Sequence, residues 1–213
     1  TLVSAGAHEV FVGAVSSDGT WQWVVQAGGA SQDVGNDIAV DSSGTSYVTG
    51  YFQGTATFGP TTLTSAGSED VFVAAVSSDG SWQWVVQVGS TGVDTGDGIA
   101  VDTSGAKVYV TGTFEGTVAF GSTTLTSAGF GDVFVGVLSG DGSWEWAVQG
   151  GGNATDRGHA IAVDSSGTSY VTGHFRGSAT FGSATLVSAG AHEIFVGAVS
   201  NDGAWQWVVQ AGG

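Results

Sequence analysis

Asp70-Val-Phe-Val-Ala-Ala-Val-Ser-Ser-Asp-Gly80-Ser-Trp82-Gln-Trp84-Val-Val-Gln87 decides the fold of this chain. Two runs of β-branched and aromatic residues flank Ser-Ser-Asp-Gly, a turn signal in which glycine can take a positive φ. Trp82 and Trp84 fall on one face of the second run and Gln83 on the other, the period of two expected of a strand. The Trp-x-Trp pair recurs at Trp21/Trp23, Trp82/Trp84, Trp144/Trp146 and Trp205/Trp207, in steps of 61, 62 and 61 residues.

Other strings keep the same step. Ile-Ala-Val-Asp begins at Ile38, Ile99 and Ile161, and Tyr-Val-Thr-Gly at Tyr47, Tyr109 and Tyr170. The one extra residue lies between Asp102 and Tyr109, in a turn, where it leaves both strand registers intact. The unit therefore reads as four short antiparallel strands, with a Thr-rich stretch such as Thr55–Ser65 adding a fifth strand or a loose hairpin. No window carries helical periodicity over more than a turn or two. The division is a half unit of two strands at 1–29, then units at 30–90, 91–152 and 153–213. Repeated four-stranded antiparallel units predict an all-β chain of propeller-like blades, about 61 residues each, three and a half in number.

Composition bounds what such a chain does. Three Lys and Arg against 19 Asp and Glu give a formal charge of −16, which repels nucleic-acid phosphate and anionic lipid headgroups. Absence of Cys removes disulfides and thiolate chemistry. Absence of Met reads as a processed form or a segment of a longer product. No apolar run is long enough for a membrane helix. Gly/Ser/Thr richness with one Lys suits an extracellular or cell-surface protein.

The string Asp70–Gly80, Trp82-Gln-Trp84, then Gly98-Ile-Ala-Val-Asp102 and Val108-Tyr-Val-Thr-Gly112, resembles the bacterial SBBP-type β-propeller repeat, and the resemblance recurs in every unit. It implies an extracellular or surface-associated protein and brings no shared catalytic residue. The stretch Phe-x-Gly-x-x-x-Phe-Gly-x-x-Thr-Leu-x-Ser, as in Phe114–Ser127, departs from the family pattern by lengthening the unit.

Candidate sites are few. Asp33, Asp94 and Asp156 occupy one repeat position, Asp41, Asp102 and Asp164 a second, and Asp18, Asp79, Asp141 and Asp202 a third. Aspartates before glycine serve turns by accepting backbone N–H groups. The alternative is calcium, held by Asp33, Asp94 and Asp156 or the neighbouring turn aspartates. The eight tryptophans either pack between neighbouring blades or present indole faces that stack on sugar rings. Asp94-Thr95-Gly96 has the letters of an aspartic-protease motif, but its counterparts are Asp33-Val34-Gly35 and Asp156-Arg157-Gly158, so the match is accidental. His8 and His192 are repeat equivalents, while His159 and His174 stand at unrelated positions with no metal-ligand spacing. Asn153-Ala154-Thr155 is a glycosylation sequon without further support.

No nucleophile motif appears, and the expectation is a non-enzyme. Residues 1–29 and 185–213 are identical at 26 of 29 positions, a higher-order period that suits a long array or head-to-tail association with copies of itself. The leading expectation is an extracellular structural or adhesive repeat protein forming a fibre or array. A lectin-like glycan-binding propeller is the alternative.

Overall fold

The computed structural model describes residues 1–212. Twenty strands and no helix are found among them. The first pair is β1 (Val10–Val15) and β2 (Trp21–Gly29). Next come β3 (Asp33–Val40), β4 (Ser46–Phe52), the short β5 (Thr55–Phe58) and β6 (Thr61–Thr64), then β7 (Asp70–Val76) and β8 (Trp82–Val88). The same series follows as β9 (Thr95–Val101), β10 (Lys107–Phe114), β11 (Thr117–Phe120), β12 (Thr123–Thr126), β13 (Asp132–Ser139) and β14 (Trp144–Gly152). It recurs as β15 (Arg157–Val163), β16 (Ser169–Phe175), β17 (Ser178–Phe181), β18 (Ala184–Val187), β19 (Glu193–Val199) and β20 (Trp205–Ala211).

Neighbouring strands pair antiparallel in the orders β3-β4-β7-β8, β9-β10-β13-β14 and β15-β16-β19-β20. The Thr-rich stretch is a hairpin, and its destination is not its own four strands. The hairpin β5–β6 pairs through β5 with β2, the outer strand of the preceding unit, setting Ala27 opposite Phe58 and Gly29 opposite Ala56. The hairpin β17–β18 pairs in the same way with β14. These two hairpins thus strap one unit to the unit before it, while β11–β12 stays a separate two-stranded sheet with no ladder to β8. The inserted residue in the third series lengthens β10 at its start, at Lys107, and leaves the pairing of Tyr109 with Ala100 and Val137 in phase with its counterparts.

The apolar core lies between units. One cluster joins Val10, Val12 and Ala27 to Phe52, Phe58, Phe72 and Val76. A second joins Val71, Val73 and Val88 to Phe114, Phe120 and Phe134, and a third joins Val133 and Val135 to Phe175, Phe181 and Phe195. Phe58, from the hairpin, sits 4.9 Å from Phe72 and 5.5 Å from Trp82, centroid to centroid. Phe58 and Phe72 are fully buried, each worth about 1.5–3 kcal/mol. Because the phenylalanine and valine clusters recur at each interface, stability is close to a sum of like steps along the chain.

Candidate functional site

The second tryptophan of the first three pairs reaches across to the next unit. Nε1 of Trp23 donates to the Ser78 carbonyl at 2.8 Å, Trp84 to Gly140 at 2.9 Å and Trp146 to Asn201 at 3.0 Å. The indole lies flat on the turn it grips. A Cβ on Gly142, already at φ +88°, would stand 2.9 Å from the Trp84 ring, so only glycine fits. The first tryptophan packs on the hairpin phenylalanine, as Trp144 does at 5.0 Å from Phe120 and Trp205 at 5.1 Å from Phe181. Trp23, Trp82, Trp84, Trp144, Trp146 and Trp205 are therefore engaged between units. Trp21 and Trp207 are the two exposed members, at 60% and 42%.

Asp33, Asp94 and Asp156 are fully buried where the outer strand of one unit crosses to the inner strand of the next. Asp33 accepts the Gly29 N–H at 2.7 Å and the Gln53 N–H at 3.3 Å. Asp94 accepts Ser90 and Glu115, and Asp156 accepts Gly152 and Arg176, at 2.6–2.9 Å. Both oxygens of each carboxylate thus face positive amide dipoles, the environment of a staple. Among the described residues no group of three or more His, Cys, Asp or Glu side chains is arranged to hold a metal ion. The other two columns make Asx-type turns: Asp102 takes the Ser104 and Ala106 N–H groups, and Asp79 the Ser81 N–H. Hydroxyl hydrogen bonds, from Ser16, Ser77 and Ser139 respectively, hold Asp18, Asp79 and Asp141 below the usual carboxylate range.

A fourth acidic column was not singled out in the sequence because it holds Glu in the first and last units and Asp in the two between. Asp70 and Asp132 are fully buried and Glu193 nearly so, and Glu9 fills the same position in the first pair. Asp132 and Asp156 converge on Gly151: a Cβ there would lie 2.6 Å from Asp132 Cγ and 2.9 Å from Asp156 Oδ2. Asp132 Oδ2 accepts the Ala128 N–H at 3.1 Å, while Oδ1 has no hydrogen-bond partner. Burial pushes the Asp132 carboxyl up to about 6, with the Asp156 charge adding to it. Burial pushes Asp94 up to about 6 as well, opposed by its backbone N–H donors and assisted by Asp70.

The units serve as their own alignment; one cluster of differences, the inserted residue and the 3.0 Å Lys107–Glu145 ion pair, lies at the tight turns, and a larger one at the opposite rim. At the tight-turn rim the Asp41 and Asp18 columns do not vary. At the opposite rim, the second residue of the inner stretch is Val34, Thr95 or Arg157, and two residues on it is Asn36, Asp97 or His159. The end of the next strand is Tyr51, Thr113 or His174, and the residue before the third strand is His8, Glu69, Gly131 or His192. These side chains meet. Arg157 grips Asp97 through Nε at 2.9 Å and Nη2 at 2.5 Å, and Asp97 is otherwise buried. Asn36 donates to the Gly96 carbonyl at 2.8 Å. Gln32 donates to the Tyr51 hydroxyl at 2.9 Å, and Gln53 to Glu69 at 3.2 Å. His159 and His174 touch at 2.7 Å, and His192 lies edge-on to His174. Burial lowers the His174 pKa, with the neighbouring His159 and His192 adding to the effect.

Both arginines and three of four histidines of a strongly acidic chain thus gather on one rim. The histidine spacing predicted no such meeting, since the three come from unrelated repeat positions. Divergence between units at those positions was the available signal. The rim offers imidazole nitrogens, one self-neutralised ion pair and amide groups, a surface suited to binding.

The SBBP family, described as a β-propeller repeat, matches residues 22–51. That stretch lies across β2, β3 and β4, and the 61- and 62-residue steps bring corresponding strings of this chain to 83–113 and 145–174. No curated protein gives a significant match to the chain.

Proposed function

We propose that this chain, which carries SBBP-type β-propeller repeats, is a non-enzymatic extracellular scaffold of three and a half four-stranded blades that works by stacking against further repeat units, on the same polypeptide or on another copy. One observation carries this reading. The outermost faces hold apolar residues whose repeat counterparts are buried against a neighbouring unit. Phe11 is 65% exposed, whereas Phe72, Phe134 and Phe195 are fully buried in the clusters that join their unit to the one before it. At the other end Ile194 and Val209 are exposed, and the counterparts of Ile194, Val71 and Val133, are buried. The two faces are the two halves of one interface that the chain already makes between its own units. Exposed strand edges with such faces favour pairing, and a contact that does not close on itself gives an open filament.

Analytical ultracentrifugation and negative-stain microscopy of the chain test the proposal. Concentration-dependent association, abolished by Val209→Asp and by Phe11→Asp, is the expected result. A monomer that persists at the highest attainable concentration defeats it. A lectin-like reading rests on Trp21, which stands exposed beside Leu2, Phe11 and Val24 in an open apolar groove. A glycan array with the Trp21→Ala variant as control separates the two: tryptophan-dependent sugar binding by a monomer selects the lectin.

A further inference from the structure

His159 stands on β15, His174 near the end of β16 and His192 just before β19. His159 Nε2 lies 2.7 Å from His174 Nδ1, and the His174 and His192 ring centroids are 4.8 Å apart. The fold does not require these imidazoles. The same strands form with Asn36, Tyr51 and Glu69 at the three positions in one unit, and with Asp97, Thr113 and Gly131 in the next. Their contacts run to one another: a ladder of three rings, exposed at His159 and His192 and half-buried at His174.

The geometry points to a binding site for a divalent transition-metal ion, with His159 and His174 as the paired ligands and His192 as the third. Neutral imidazole suits copper, nickel and zinc, and although Arg157 stands nearby, the formal charge of −16 on the chain favours cations overall. Cu(II) stands highest in the affinity order of divalent ions for such donors, and the 2.7 Å contact between His159 Nε2 and His174 Nδ1 must open to admit it. No three ligands are preformed around one point among the described residues, so the exposed His192 must turn toward the ion.

Titration of the chelator-treated chain with Cu(II), followed by calorimetry and electron paramagnetic resonance, tests this. One ion per chain with a tetragonal spectrum and nitrogen hyperfine structure is expected. The decisive variant is His159→Asn with His174→Tyr, which restores the pair that the first full unit carries as Asn36 and Tyr51 and so preserves a combination already known to fold in this chain. It should weaken binding by well over about tenfold, the loss typical of removing even an outer-shell partner. His8→Ala should leave binding unchanged. Copper affinity that survives the double variant, or a spectrum without nitrogen coupling, would overturn the site.

Discussion

Replacing Asp132 by Asn should stabilise the protein at neutral pH and do nothing in acid. Asp132 is fully buried, has one oxygen without a partner, and shares the neighbourhood of Gly151 with the carboxylate of Asp156. Its pKa is raised by burial to about 6 from an unfolded value of 3.8. The folded state therefore holds the proton more tightly than the unfolded state between those values. Stability on this account is complete below pH 3.8, falls as the pH rises, and is lost in full above about 6. At about 1.36 kcal/mol per pH unit, the charged form is disfavoured by about 3 kcal/mol at pH 7.5. Asparagine has the shape of the protonated acid, keeps the oxygen that accepts the Ala128 N–H, and places no charge beside Asp156. The expected gain is about 2–3 kcal/mol at pH 7.5 and close to zero at pH 3.5, read from urea unfolding curves of both proteins at both pH values. Loss of stability at pH 7.5, or an equal effect at the two pH values, would refute the reasoning. The wild-type chain should follow the same trend, because burial raises Asp94 to about 6 as well.

Three further outcomes follow from the contacts between units. Arg157→Ala should destabilise by about 3 kcal/mol, because it strands the buried Asp97 carboxylate, and adding Asp97→Asn should recover much of the loss in the same unfolding assay. Trp84→Ala should cost about 3–5 kcal/mol, since it removes a ring and a hydrogen bond from an interface, whereas Trp207→Ala, at an exposed ring, should cost about 1 kcal/mol; equal losses would show that the cross-unit grip is unimportant. Calcium added to chelator-treated protein should leave the melting temperature unchanged, given that Asp33, Asp94 and Asp156 face amide donors, and a rise would show that the ion displaces them.

Much of the fold was legible because each unit is its own evidence. The Trp-x-Trp pairs, Ile-Ala-Val-Asp and Tyr-Val-Thr-Gly locate strands three or four times over, and the period of two assigns their faces. What alternation cannot show is the partner of a strand. Nothing in Thr55–Ser65 says that its hairpin pairs backward onto β2, because that contact is set by the shape of the space between units. The beginning of β3 at Asp33, five residues before the Ile-Ala-Val-Asp string, was hidden for a related reason. Asp33-Val-Gly-Asn-Asp37 contains a bulge between Gly35 and Asp37 that breaks the alternation. The turn aspartates were readable from the glycine that follows them. The buried column of Asp70, Asp132 and Glu193 was not, because burial of an acid is a property of the junction and leaves no local pattern.

Repetition itself separates scaffold from site. A residue that recurs in every unit answers a demand that every unit makes, and the Asp41 and Asp18 columns of the tight turns are such residues. Asp33, Asp94 and Asp156 recur, and all three are found stapling the same crossover. Arg157, Asp97, His159 and His174 do not recur, and the strands form equally well around Val34, Asn36 and Tyr51. Whatever holds those residues in place is therefore local to the rim, and only part of it is structural. The Arg157–Asp97 pair explains two of them, since each neutralises the other across a unit boundary. The imidazoles have no such account from folding. Three of them in contact beside Arg157 are what the proposed metal site would use, and so that rim, more than the repeating tryptophans, is where specific binding is to be sought.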